Sequence, residues 1–283
     1  MIRLHACRAL IITALILSLA VGGCATTLLY NHADWLIVRQ LDGYLDLSRS
    51  QKAFLYDRLD VILRNHRHEA LPRYETVLEQ VRAKAQRGLT PGDLEWAFDQ
   101  YDQLKTDLFA RFALDGADFV RLVNEPQISR LRKTLPARLR QEERLLHDGV
   151  EARLRQRTDR ILALAKEWLG AITPAQEQEI TRLAMQFPDT LPSWYAYQQR
   201  RNERLIAVME SRESRDTPVR LYDWLVEKDK DADRAFAEGV HRLRRHITEL
   251  VLTIDRVATP DQRRYFLAKV GDLIKTIRRL EET

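Results

Sequence analysis

The residues best placed to do chemistry are Asn65-His66-Arg67-His68-Glu69, followed by Leu71-Pro72-Arg73-Tyr74. On a helix Leu55, Leu59, Ile62 and His66 share one face, and Glu69 stands one turn beyond His66. A His/Glu pair at i, i+3 can hold a metal or relay a proton. It can equally be a core histidine satisfied by its neighbouring carboxylate at a kink made by Pro72. The core reading is preferred, because a metal needs three or four convergent ligands and only two are offered; no metal and no cofactor is expected. A second cluster, Tyr30 to Trp35 and Leu41 to Asp46, is dense in aromatics and carboxylates. Trp35 and Tyr44 as amphipathic anchors beside Asp42 and Asp46 would make a binding face near a membrane. The preferred alternative packs Trp35, Leu36 and Leu41 into the bundle while the acids cap neighbouring backbone.

Common catalytic signatures are missing: there is no G-x-S-x-G, H-E-x-x-H or C-x-x-C and no glycine loop for phosphate. No residue set justifies an enzyme, and a non-enzymatic role is expected. Ten basic residues between Arg130 and Arg160 crowd one region. They read as a solvated face laced with Glu142, Glu143 and Glu151, or as a strip for anionic lipid headgroups or acidic segments. Trp194, Tyr195 and Tyr197 line a groove or fill core. The formal charge of +5 falls by two once Arg3 and Arg8 are removed, which is too mild to suggest nucleic acid.

Those removals follow from the N-terminus. Arg3 and Arg8 precede an apolar run, Ala9 to Val21, too short to span a bilayer and followed by Val21-Gly22-Gly23-Cys24. This resembles the lipobox of bacterial lipoproteins. The resemblance implies a signal peptide over 1–23, a mature chain beginning at an acylated (palmitate-type) Cys24, and a membrane partner through that lipid. Ala25 after the cysteine implies, by the same resemblance, the outer membrane, with the body (24–283) facing the periplasm. Cys7 would leave with the leader, so no thiol would remain for a disulfide.

What must position these residues is helix. Glycine is sparse, at 10 residues, and 31% of the chain is charged. One pattern recurs: an apolar residue, a capping residue, two spacers, then Gln or Asp. It appears at Leu47–Gln51, Leu89–Asp93, Val123–Gln127, Ile172–Gln176 and Ala258–Gln262, with Asp216-Thr217-Pro218 as a degenerate sixth copy. Each reads as a helix N-terminus with a capping box. Helices are predicted over 33–44, 48–70, 72–87, 90–123, 124–169 with Pro136 as a kink or break, 173–186 and 193–209. Apolar stripes over Phe236–Ile254 and Phe266–Leu280 predict two more, joined at Val257–Pro260 as an antiparallel C-terminal pair with coiled-coil-like packing. The expected fold is all-α, a bundle of antiparallel helical hairpins, as one body or as halves 29–170 and 171–283.

The lipobox, Tyr30-Asn-x-Ala-Asp34-Trp35, Leu41-Asp-x-Tyr44-Leu-Asp46-Leu, the His66 to Tyr74 segment and the spaced Thr-Pro-x-Gln signals together resemble a family of bacterial lipoproteins of unknown function. That resemblance implies a helical periplasmic lipoprotein and no reaction. A looser similarity is to small periplasmic stress chaperones with Leu-Thr-x-x-Gln motifs, whose glutamine would correspond to Gln51, Gln127, Gln176 and Gln262. The expected function is a membrane-anchored protein-binding adaptor or chaperone-like factor with an envelope protein as partner; the alternative is a metal- or anionic-lipid-binding module.

Overall fold

The computed structural model describes residues 23–282, with Gly23–Ala25 and residues 228–229 described as backbone only. Residues 1–22, and with them the expected leader, lie outside the described residues, as does the side chain of Cys24. Every described element is helical: α1 (Gly23–Asn31), α2 (Ala33–Leu45), α3 (Arg49–Glu69), α4 (Leu71–Arg87), α5 (Pro91–Arg121), α6 (Glu125–Arg138), α7 (Arg140–His147), α8 (Val150–Leu169), α9 (Pro174–Ala184), α10 (Leu191–Glu210), α11 (Thr217–Leu225), a 3-10 turn (Lys228–Asp231), α12 (Arg234–Val257) and α13 (Pro260–Glu281). The fold is all-α, with no strand among the described residues.

The five full copies of the recurring pattern all start helices. Ser48, Thr90, Asn124, Thr173 and Thr259 each accept a bond from the backbone N–H three residues on, and the side chain there returns to the cap's own N–H. Both orphan donors are thereby satisfied. The sixth copy differs: Thr217 lies inside α11, fully buried, and donates to the Ser211 carbonyl at 2.7 Å. The long segment from Asn124 is three helices rather than one. Pro136 sits within α6, where it offers no N–H, and the helix ends at Leu139; extended backbone at Asp148 and Gly149 then separates α7 from α8.

The capping glutamines do more than cap. Gln51 and Gln127 face each other and exchange amide bonds in both directions, at 2.9 and 2.7 Å. Each also donates to a carbonyl, Leu122 for Gln51 and Asp46 for Gln127. Gln176 and Gln262 repeat the arrangement at 2.9 and 2.8 Å, with Val257 and Ala171 as their carbonyl partners. All four residues are buried. Each pair joins two helix N-termini, α3 to α6 and α9 to α13, through amides whose donors and acceptors are all engaged.

Three apolar cores lie around these joints. The largest takes Val38, Leu45, Leu59, Val120, Ile128 and Leu135 from the early helices together with Ile206, Met209 and Leu221 from α10 and α11. A second unites Ala165 of α8, Ile180 and Leu183 of α9, and Leu250 of α12. The third holds Tyr30, Leu71, Ile277 and Leu280, with Tyr74 and Leu78 against them. The last two helices therefore form as expected but do not run against each other. Extended residues Ala258 and Thr259 turn the chain away. Helix α13 lies along α4, with Arg278 paired to Glu75 and Glu79, while α12 lies on α9 and α10. An apolar stripe demands a partner without naming it, and α4 offered a matching one.

Candidate functional site

His66 lies on the buried face of α3 with Leu55, Leu59 and Ile62, and is 2% exposed. Its imidazole is clamped between two phenols. Tyr30 of α1 reaches Nδ1 at 2.9 Å, and Tyr74 of α4 reaches Nε2 at 3.1 Å. The two rings lie 5.8 and 5.4 Å from the imidazole, the second edge-on. Burial, with the Arg111 charge as the lesser cause, pushes His66 down to about 4. Burial likewise raises Tyr30 well above the usual phenol range, against the opposing pull of Arg67, whose guanidinium lies 5.5 Å from the Tyr30 ring. Tyr74 is pushed up to about 12, again chiefly by burial. At neutral pH the three groups are therefore uncharged: one imidazole nitrogen donates, the other accepts, and neither is left over.

Glu69 does not join this set. It is exposed and pairs with Arg111 at 2.6 Å. Position i+3 put it one turn away along α3, yet the imidazole points into the junction of α1, α3 and α4, where the tyrosines of other helices arrive first. Among the described residues no three His, Cys, Asp or Glu side chains converge as a metal set.

The Trp35 cluster divides. Trp35 is 45% exposed, contrary to the packing expected for it, and Arg39 lies 5.0 Å over its ring. Leu41 packs against the largest core, and Tyr44 is buried beneath Arg138. Asp42 accepts from the Leu47 N–H and from Lys52, which holds its carboxyl below the ordinary range. Asp46 ends α2 in the left-handed region, φ 56°, and gives its carbonyl to Gln127. The two acids thus terminate a helix.

Half of the basic strip is engaged. Arg132 pairs with Glu210, Arg155 with Glu151, and Arg153 with Asp189 at 2.5 Å. Arg157 donates to the Phe187 and Pro188 carbonyls, leaving its Nε buried without a hydrogen-bond partner. Beside these lies a cleft of about 250 Å³ lined by Arg153, Arg157, Arg160, Asp189, Leu191 and Trp194. Trp194 thus borders a groove, whereas Tyr197 stacks on Phe236 at 4.1 Å.

Two arrangements escaped sequence reasoning. Arg201 and Asp231 form a buried pair at 2.9 Å, with Arg201 also bonded to the Trp224 carbonyl and lying 4.7 Å over its ring. Nothing local marks it. The tyrosine clamp was only half visible, since Tyr30 and Tyr74 stood beside recognised segments with no spacing rule to join them across 36 and 8 residues.

No curated protein and no solved structure matches the chain. A family described as "Family of unknown function (DUF6279)" matches residues 43–258, a span holding His66, Tyr74, Gln51, Gln127 and Gln176 but ending before Gln262. With that span covering most of its length, the chain belongs to this family of unknown function.

Proposed function

We propose that this protein is a non-enzymatic lipoprotein, anchored through Cys24 to the periplasmic side of a bacterial outer membrane, that binds another envelope protein. The observation carrying the reading is where the reactive and the apolar groups lie. His66, Asp42 and Glu69 are occupied in holding helices together. Helices α5 and α11, which pack on each other, instead turn Leu114 (75% exposed), Val219 (63%) and Tyr222 to solvent. Apolar side chains held outward on rigid helices suit a protein partner. The lipobox resemblance supports the anchor.

A photocrosslinking residue at Leu114 or Val219 of the full chain, in living cells, should give adducts with one defined protein that a probe at exposed Arg155 does not give. Leu114→Asp should weaken them. Equal labelling at all three positions removes the partner. Cys24→Ala should abolish fatty-acid labelling and membrane fractionation; unchanged labelling removes the anchor.

A second reading, an anionic-ligand module, draws on the cleft beside Arg157 and Trp194. Titration with inorganic phosphate and with lipopolysaccharide on wild type and Arg160→Ala separates it from the first.

A further inference from the structure

Helices α1 and α2 run almost as one. The backbone ladder continues across their junction, the His32 N–H donating to the Leu28 carbonyl at 3.2 Å and the Leu36 N–H to the His32 carbonyl at 3.0 Å. At about 100° per residue, Leu28, His32, Trp35 and Arg39 fall in one row, with Leu29 at its side. The opposite side carries Thr26, Tyr30, Ala33 and Ile37, all buried. This segment has thus already satisfied its inner face. Its outer row still presents Leu28 (60% exposed) and Trp35 (45%), together with exposed His32 and Arg39, and Leu29 (38%) stands at its flank. Asp34 is half-buried and falls well outside the row.

Leucines, an indole and a cation on one outward row have the chemistry of a helix lying in a membrane interface. The leucines and the indole body enter the boundary between acyl chains and headgroups, and the indole N–H and the guanidinium stay among the headgroups. Arg39 over the Trp35 ring holds both tips at one level. No helix among the described residues is long and apolar enough to cross a bilayer, so the segment would lie along the surface. The chain's own course selects this occupant. Position 24, where the proposed lipid would be carried, stands one helical turn before Leu28, which puts the row at the bilayer surface.

We propose that the outward row of α1 and α2, Leu28, Trp35 and Arg39, with Leu29 at its flank, rests on the bilayer as a second membrane contact beside the anchor. The proposal takes its orientation from the anchoring at Cys24 put forward above. Tyr30, bonded to His66 on the inner side of the same helix, fixes the body of the bundle to this row, so the contact sets how the protein stands on the membrane.

The test uses the full chain purified from membranes and reconstituted into vesicles of brominated phosphatidylcholine with phosphatidylglycerol. Bromine quenches only indoles that enter the interface. Wild type should show a strongly quenched component of tryptophan emission, absent from Trp35→Phe and retained in Trp224→Phe. Leu28→Glu with Leu29→Glu should lose most of that component with circular dichroism unchanged. A quenched component that survives Trp35→Phe, or a double glutamate variant quenched like wild type, overturns the proposal. Fatty-acid labelling of Cys24→Ser judges the anchor separately: unchanged labelling defeats the anchor, while the Trp35 readout still decides the face.

Discussion

The glutamine joints make the sharpest quantitative claim. Gln127→Ala deletes an amide engaged in four hydrogen bonds: it accepts from the Asn124 N–H and from Gln51 Nε2, and donates to Gln51 Oε1 and the Asp46 carbonyl. Left behind are the Asn124 N–H, one N–H of Gln51 and the Asp46 carbonyl, while Gln51 Oε1 keeps its bond from the Ser48 N–H. A stranded buried polar group costs about 1–3 kcal/mol, and Asp46 and Asn124 are both exposed enough for water to reach their backbone groups, so the change, dominated by the stranded Gln51 N–H, should cost about 2–3 kcal/mol. Against a total stability of about 5–15 kcal/mol that is a large loss. Gln51→Ala should cost a similar amount by the same count. The double variant strands neither glutamine N–H, so it should cost about 2–4 kcal/mol less than the two single losses added together. Urea unfolding followed by far-ultraviolet circular dichroism measures all four corners of the cycle. A single cost below about 1 kcal/mol, or strict additivity, would show that the paired amides are not a coupled, desolvated unit and would refute the reasoning.

Three further outcomes follow from the same structure. His66 has a folded pKa of about 4 against an ordinary 6.5, so below pH 6.5 the unfolded chain binds a proton that the folded chain refuses. Stability should then fall as pH drops from 6.5 to about 4, by about 3 kcal/mol for this group, and His66→Gln should flatten the profile across that window; an identical slope in wild type and variant contradicts the clamp. Asp231→Ala strands Arg201 in the interior and should cost about 3–5 kcal/mol by denaturant melting, whereas a cost under about 1 kcal/mol would mean the pair is wet. At Gly116 a Cβ would lie 3.1 Å from Leu221 Cδ2, so Gly116→Val should destabilise the α5–α11 contact by about 1–3 kcal/mol, with an unchanged melting temperature as the contrary result.

Helix positions were legible because a capping box is local: cap and partner stand three residues apart, and all five full copies sit where the pattern put them. The buried face of α3, ending at His66, followed from the same periodicity. Pairing was not legible. The stripes of α12 and α13 adjoin in sequence and look complementary, but Leu280 shares a core with Leu71 and Leu250 shares another with Ile180. His66 failed in the same way. Its neighbour at i+3 is the partner that local spacing offers, but the satisfying groups come from two other helices. Trp35 erred in the opposite sense, for aromatic character argued burial while the row it shares with Leu28 and Arg39 pointed out.

Either Gln or Asp at the fifth residue of the pattern closes a capping box, yet the choice between them records what the box will face. A helix N-terminus carries a partial positive charge, and a carboxylate there is ordinarily the better cap. Where two N-termini meet across a buried joint, two carboxylates would face each other out of water, and their repulsion would exceed the gain to each helix. Glutamine avoids this, because each amide accepts from its own cap and donates to its opposite number, and both joints carry glutamine on both sides. At the remaining box the partners across the joint are cations from the preceding helix. Lys84 and Arg87 close on Asp93 at 2.7 and 2.8 Å and hold its carboxyl far below the ordinary range, with the Thr90 hydroxyl adding a further bond. Four glutamines and one aspartate therefore imply two joints and one charge-sealed end, a rule that Asp93→Gln tests directly. That substitution keeps the cap while leaving Lys84 and Arg87 without their carboxylate, so it should destabilise the protein even though four of the five boxes already carry glutamine.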